Sequence, residues 1–170
     1  MINMGKQLTE GDVRKIQEEL HRRTCELRPQ LLDAVKEAKA FGDLSENFEY
    51  YAAKREKNRN ESRIRYLERM LATSEILEDD TESDEVGVEN TVELYMEHKQ
   101  VTKFYRIVTT VRANSLKNRI SIESPVARAI IGHKVGERVY VKVNDTYGYY
   151  VQIRSIDPST DGDDDEINSY

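Results

Sequence analysis

The sequence predicts an α+β protein: an N-terminal antiparallel helical hairpin, or coiled coil, followed by a C-terminal antiparallel sheet with one short helix. Apolar side chains recur at steps of three and four residues through the first half, which is typical of a coiled-coil seam. The second half instead holds five short segments rich in β-branched residues and tyrosine, which favour strands. Charged residues make up 34% of the chain, above the usual share of about a quarter, and this favours an elongated element with a large surface.

The charge pattern divides the 170 residues into four predicted segments. We predict a helical hairpin over residues 1–78, an acidic linker over 79–89, a sheet domain over 90–158 and an acidic, disordered tail over 159–170. Positive and negative charges balance in the hairpin, so the rest of the chain carries the whole net charge of −6. A general role in solubility explains such a tail without any further function.

Several classes of protein are excluded by the composition. No stretch approaches the roughly 20 apolar residues of a membrane span, and the first residues contain no apolar secretory core, so we expect a cytoplasmic protein without a membrane partner. The single cysteine, Cys25, has no second cysteine for a disulfide, and the three histidines are too far apart along the chain to indicate zinc. A Gly-rich phosphate loop and a nucleophile elbow are both absent from the sequence.

Two helical patterns joined by a turn predict the hairpin. The first begins near Thr9, which together with the next three residues resembles a capping box, and Pro29 should bend or break this helix. Gly42 suits the left-handed position after the helix, and a connection this short makes the two helices antiparallel. The seam of the second helix is polar over residues 55–62, so packing should be weaker there. Taken by itself, such a hairpin is more often a dimerisation coiled coil.

A small sheet packed on one helix is predicted for the second half. The predicted strands are residues 91–97, 102–108, 119–122, 138–143 and 149–156. Between the third and the fourth, Ser124 can cap a short helix, Pro125 suits its first position and Gly132 can end it. The tyrosines of the last two strands are interpreted as strand-surface or core residues rather than as a platform for stacking bases.

Two carboxylates three residues apart mark the predicted turn of the hairpin. One interpretation is structural, with Asp43 as the N-cap of the second helix and Glu46 as its N3 partner. The other is half of a Mg²⁺ site, because magnesium prefers oxygen ligands and is often held by one or two carboxylates together with phosphates. A partner that supplied further ligands and a phosphodiester would complete a site able to activate water for in-line attack.

Basic residues follow the acidic pair along the second helix. Lys54, Arg55 and Arg59 belong to a run in which basic residues outnumber acidic ones. Such a run is usually a solvated helix face. Beside an acidic tip it also fits a track for the phosphates of an RNA backbone.

Two motifs resemble a known family. Residues 42–50, with the sequence GDLSENFEY, resemble the tip and descending helix of the Gre family of bacterial transcript-cleavage factors. Residues 120–132, with the sequence ISIESPVARAIIG, resemble its C-terminal domain, and the likeness covers roughly residues 8–157. The resemblance implies a coiled-coil arm and a C-terminal domain similar in fold to the FK506-binding proteins.

The same resemblance implies roles for the tip residues. Family members dock on bacterial RNA polymerase at its secondary channel, and their tip acids help the polymerase hold a second Mg²⁺ for cleavage of the backtracked RNA 3′ end. Asp43 and Glu46 fall on the two functional acids of the family, while Asn47, Glu49 and Tyr50 fall on its supporting tip residues.

Docking on the polymerase is assigned by the resemblance to four residues of the C-terminal domain, namely Ser124, Pro125, Arg128 and Gly132. The chain would then not be an enzyme by itself. It would need no cofactor of its own, share Mg²⁺ with the polymerase and act as a monomer on the 3′ end of nascent RNA. A nonspecific contact with DNA is a further partner to consider.

Three places depart from the family pattern. Phe48 replaces a small residue, residues 109–113 replace a stretch with glycine and acids, and His133 replaces a lysine. These departures affect the docking surface more than the tip. Two other functions therefore remain open. One is a regulator that occupies the same channel without promoting cleavage, and the other, suggested by the C-terminal fold alone, is a prolyl isomerase.

Overall fold

The computed structural model describes residues 6–42, 47–158 and 166–168. The chain forms two compact units, of which the first is the helical chain from Glu10 to Glu75 and the second contains Gln7–Thr9 and the chain from Ile76 onward. Two short strands, β1 (Gln7–Leu8) and β2 (Glu75–Ile76), pair with each other. No helix within the described ranges is long and apolar enough to cross a membrane.

An antiparallel helical hairpin makes up the first unit. One arm consists of α1 (Glu10–Arg22), a π-helical turn (Arg23–Leu27) and α2 (Arg28–Ala40), and the other arm is α3 (Phe48–Thr73). The irregularity expected at Pro29 is confirmed as this π turn. Pro29 has no N–H to donate to the carbonyl four residues earlier, which belongs to Cys25, so the helix widens there instead of breaking.

Polar contacts join the two arms in the middle of the hairpin. Glu19 accepts hydrogen bonds from Arg63 at 2.9 Å and from Arg23 at 2.8 Å, and the buried Asn60 accepts one from Arg23 at 3.0 Å. Burial acts to raise the pKa of Glu19, but the hydrogen bonds from the two arginines outweigh it and lower the pKa. The weak apolar packing predicted for residues 55–62 is thus compensated by charge-assisted hydrogen bonds.

The second unit is built on a five-stranded sheet with the order β5–β4–β3–β7–β6. Its strands are β3 (Thr91–Met96), β4 (Val101–Val108), β5 (Arg119–Ser121), β6 (Arg138–Lys142) and β7 (Gly148–Asp157). The predicted strand positions are confirmed to within two residues. The sheet is mostly antiparallel, and the exception is β5, which runs parallel to β4. Two 3₁₀ turns, Thr110–Arg112 and Ser115–Lys117, lie in the connection between these two strands.

One face of the sheet packs on the predicted short helix, α4 (Pro125–Ile130). Val92, Leu94 and Met96 alternate with more exposed residues along β3, because successive side chains of a strand point to opposite faces. They form the core together with Ala127 and Ile130 of the helix. The α+β class predicted from the sequence is confirmed.

Two predicted segments are changed by the structure. Val86 is fully buried in the sheet core and its carbonyl accepts a hydrogen bond from the backbone of Gly132, so residues 79–89 include part of the second unit rather than a separate linker. At the other end, Ile167 is buried and Asn168 donates its backbone N–H to the carbonyl of Val111 at 2.8 Å. Residues 166–168 of the predicted disordered tail therefore pack on the second unit. The apolar side chain of Ile167, which directly follows the acidic run, explains this burial.

Candidate functional site

Asn47 organises the turn of the hairpin. Its side-chain oxygen caps α3 by accepting a hydrogen bond from the backbone N–H of Tyr50 at 3.0 Å. Its side-chain nitrogen donates to the carbonyl of Ala38, in the last turn of α2, at 2.6 Å. Gly42 adopts a φ of +126°, as the turn prediction required. One side chain thus ties the end of one helix to the start of the next.

The two candidate acids, Asp43 and Glu46, lie outside the described residues. The observed cap nevertheless decides between their two interpretations. Because Asn47 is the N-cap and Tyr50 stands at N3, neither acid occupies a capping position of this helix. The interpretation of the pair as N-cap and N3 partner is therefore wrong. The helix α3 therefore begins at a cap that involves neither acid.

The supporting tip residues lie in the first turn of α3. Glu49 is exposed, Tyr50 is half-buried, and the Tyr50 ring meets the ring of Tyr51 edge-on at a centroid distance of 5.6 Å. The Lys54 ammonium lies 6.0 Å from the centre of the Tyr50 ring, within the range of a cation–π contact. The candidate tip residues and the start of the basic run therefore share one end of α3.

The candidate basic residues Lys54, Arg55 and Arg59 are all exposed. Arg55 and Arg59 are four residues apart and share one side of α3. Arg59 pairs with Glu56 at 3.1 Å, but both side chains are well exposed, so this pair adds little stability. Among the described residues, Arg55 forms no ion pair. The patch therefore presents positive charge to the solvent.

The four candidate docking residues come together at α4. Ser124 caps the helix by accepting a hydrogen bond from the N–H of Ala127 at 3.3 Å, and Pro125 follows at the first helical position. Gly132 has a φ of +83°, a conformation that side chains rarely adopt, just after the helix end. The capping serine and the terminal glycine thus shape the helix, whereas Arg128 is exposed to a partner.

Arg128 lines a groove of about 480 Å³ within the second unit. Its apolar part is formed by Leu77, Val88, Ile122 and Ile131. Acidic residues also line it, namely Glu78, Asp79, Asp80, Glu85 and Glu123. A groove lined by both apolar and acidic residues suits an amphipathic partner segment that carries basic residues.

A buried ion cluster was missed by sequence reasoning. Glu89, which was counted with the linker acids, accepts hydrogen bonds from Arg106 at 3.1 Å and from Arg112, and both arginines are buried. Glu89 adopts a left-handed φ of +71°, which is uncommon for this residue type and is held by these contacts. No local sequence signal distinguishes Glu89 from the solvated acids before it.

The tyrosines of the last two strands lie at the strand surface or against the core, as predicted. Tyr149 packs against the core, while Tyr140 and Tyr150 are exposed with ring centres 5.1 Å apart. The Arg138 guanidinium stacks on the Tyr150 ring at 3.5 Å and also pairs with Glu97. Within the part of the chain that the structure describes, no three histidine, cysteine or acidic side chains are grouped so as to hold a metal ion.

Comparisons with known proteins give a family match for each part of the chain. The family described as "Transcription elongation factor, N-terminal" matches residues 6–76, and "Transcription elongation factor, GreA/GreB, C-term" matches residues 80–158. Transcription elongation factor GreA of Rhizobium etli is 42% identical over 135 residues, which cover 79% of this chain and 85% of that protein. GreA of Agrobacterium fabrum has the same identity and coverage.

A solved structure of GreA factor homolog 1 (Gfh1) from Thermus thermophilus is 26% identical, covers 89% of this chain and 98% of its own, and has a TM-score of 0.42. The structure has a helical hairpin followed by a sheet domain with one short helix. The N-terminal and C-terminal family descriptions match these two parts in the same order. The chain belongs to the GreA/GreB family of transcription elongation factors. The resemblance noted from the tip and helix motifs is confirmed.

Proposed function

We propose that this transcription elongation factor, whose partner is RNA polymerase, stimulates the polymerase to cleave backtracked RNA through the acids of its hairpin tip. The observation that carries the proposal is the Asn47 cap. It assigns the start of α3 to a side chain other than Asp43 and Glu46, and the same side chain donates to the Ala38 carbonyl of α2. The two acids therefore do not cap α3, and in the sequence they lie between the two arms of the hairpin.

The donor set fits Mg²⁺ in a shared site. Two carboxylates are hard oxygen ligands of the kind that magnesium prefers, and two alone hold it weakly, so the polymerase and the RNA phosphates would complete its coordination. When bound there, the ion would supply activation of water for in-line attack on the RNA. Asp43 and Glu46 would provide oxygen ligands, and Asn47 would keep the turn that carries them in place.

The basic patch supports a role in holding RNA. Lys54, Arg55 and Arg59 are exposed on the same helix that begins at the tip, and their charge favours a phosphate backbone. We assign them to the 3′ segment of the nascent transcript. The chain would thus hold both the metal and the strand that is cut, while the reaction belongs to the polymerase. In this proposal the chain is not an enzyme by itself and works as a monomer, and a nonspecific contact with DNA would be an additional one.

Docking is assigned to the second unit. Arg128 lies on the groove beside α4, and Ser124, Pro125 and Gly132 set the length and direction of that helix. An amphipathic segment of the polymerase with basic residues would fit the apolar and acidic lining of the groove. The groove thereby supplies affinity, and the tip supplies the effect on cleavage.

Stalled, backtracked elongation complexes provide the test. The protein is added with Mg²⁺, and the shortening of the RNA is followed over time. We expect shortening with the wild-type chain and its loss in Asp43→Asn and Glu46→Gln, while polymerase binding persists. Glu56→Gln, an exposed acid farther along α3, is the matched control and should retain activity. Stimulation that survives both tip substitutions would show that the tip assignment is wrong.

The alternatives predict different results in the same assay. A regulator that only occupies the channel would bind polymerase and leave the RNA uncut even as the wild-type chain. A prolyl isomerase would accelerate isomerisation of a proline peptide, independently of polymerase. The likeness in fold that suggested this activity is the only observation in its favour.

A further inference from the structure

An aromatic and basic face runs along the first three turns of α3. Phe48, Tyr51, Arg55 and Arg59 follow one another at steps of three and four residues, so they share one side of the helix. Phe48 is 85% exposed and Tyr51 is 48% exposed. The buried Ile64 lies about 160° around the helix from Phe48, on the opposite side.

The exposure of Phe48 is unusual for its place in the hairpin. A single exposed apolar residue needs no explanation. Here, however, Phe41 on the other side of the turn is also 77% exposed, and Tyr51 extends the aromatic surface. The hairpin gains no packing from the Phe48 ring. Several exposed aromatic rings at one end of a molecule indicate a contact with a partner.

We propose that the ring of Phe48 stacks on an unpaired base of the RNA 3′ end, with Tyr51 beside it and Arg55 and Arg59 on the adjoining phosphates. This inference rests on the proposed function, and it adds a contact that recognises bases to the acids and the basic patch. Proteins that bind single strands combine these two elements, aromatic rings for bases and a positive track for the backbone. Stacking accepts any base, which suits a factor that meets many transcripts.

The charges on this face favour RNA over a protein surface as the occupant. Two arginines follow the rings on the same side, and within the described ranges Arg59 pairs with the exposed Glu56. An apolar protein wall against this face would have to desolvate both arginines. An RNA strand would instead place its bases on the rings and its phosphates on the arginines.

Stacking should show as a dependence on the base itself. We would assemble backtracked complexes whose unpaired 3′ nucleotides either carry bases or are abasic, and measure cleavage over the level without the factor. We expect Phe48→Ala to lower stimulation about tenfold with bases present and to match the wild type on abasic RNA. Phe48→Leu should resemble Phe48→Ala, and Phe48→Trp should keep the wild-type rate. The control is Phe104→Ala, an exposed phenylalanine of the second unit.

A second readout separates this inference from the proposed function. With 2-aminopurine at the RNA 3′ end, stacking should quench its fluorescence with the wild-type chain and not with Phe48→Ala. Quenching without any cleavage would support the stacking contact and reject the proposed function. Equal losses on base-bearing and abasic RNA, or full activity of Phe48→Leu, would overturn the stacking contact in favour of a protein contact. An unchanged Phe48→Ala in both readouts would overturn it as well.

Discussion

The side chain of Asn47 donates a hydrogen bond to the carbonyl of Ala38 across 2.6 Å, and the same side chain caps α3. Asn47 therefore binds the C-terminal end of α2 and caps the N-terminal end of α3. Helix ends leave several backbone groups without intrahelical partners, and Asn47 satisfies one of these, the N–H of Tyr50. At the other end it adds a second hydrogen bond to the Ala38 carbonyl, which also accepts from the N–H of Phe41 at 3.3 Å. Asn47, which caps the helix, is thus the next residue after Glu46, one of the two acids on which the proposed function depends.

Substitution of Asn47 by alanine should affect both stability and activity. Loss of the cap should lower the free energy of unfolding by about 1 kcal/mol. Stimulated cleavage should fall by about tenfold or more, because small displacements of chemical groups are costly in catalysis. Urea unfolding and the backtracked-complex assay would measure the two effects. Asn58→Ala is the control, since Asn58 is exposed within the same helix. Wild-type activity of Asn47→Ala would show that the tip does not depend on this clamp.

The buried cluster around Glu89 should be a strong determinant of stability. Glu89→Gln would remove the negative charge that pairs with the buried guanidiniums of Arg106 and Arg112. Breaking such a pair should cost about 3 kcal/mol, the low end for a buried pair, because Glu89 is itself partly exposed. Chemical denaturation of the second unit would measure the loss. In contrast, Asp145→Asn removes one partner of the exposed pair with Lys142 and should change stability by less than about 0.5 kcal/mol. Similar small effects for both substitutions would contradict the role of the cluster.

Glu97 should make the stability of the second unit depend on pH. The hydrogen bonds from Arg138 and then Gln152 lower the pKa of Glu97 from 4.5 to about 2. Since the folded-state pKa is depressed, this contribution is present above about pH 4.5 and is lost as the pH falls toward 2. The difference in unfolding free energy between the wild type and Glu97→Gln should therefore shrink between pH 6 and about pH 2. A difference that stays constant across this range would reject the assignment.

Ile167 should anchor the end of the chain. Its side chain is buried, and the neighbouring Asn168 bonds to the carbonyls of Val111 and Ala113. Ile167→Ala should lower the free energy of unfolding by about 2 kcal/mol, the low end for removing a buried isoleucine. Glu166→Gln, at the exposed residue before it, should have almost no effect. Equal stability of the two variants would show that residues 166–168 contribute nothing to the fold. Thermal or urea unfolding would give the answer.

Much of the fold could be predicted because it depends on local patterns. The β-branched residues and tyrosines indicated the positions of β3 and β7, and Ser124, Pro125 and Gly132 marked the ends of α4. The irregularity near Pro29 followed from a missing N–H. The parallel orientation of β5 could not be predicted, because it depends on the path of the connection from β4 to β5 and not on any residue of the strand itself.

The candidate site was predicted only in part. The acid pair, the basic run and the α4 motif were visible as residue types at a given spacing. The competition between Asp43 and Asn47 for the cap was not, because both residue types are good caps and only the hydrogen bonds of the folded turn distinguish them.

The sequence by itself determined the α+β class, the hairpin, the strand positions and the family, because periodicity, turn residues and motifs are properties of neighbouring residues. The tertiary structure decided that Asn47 rather than Asp43 caps α3, that the half-buried Glu89 pairs with two buried arginines and that Ile167 packs on the second unit. The physical reason is the same in each case. Whether a polar or apolar side chain is solvated depends on residues far away in the chain, and their approach is fixed only when the chain folds.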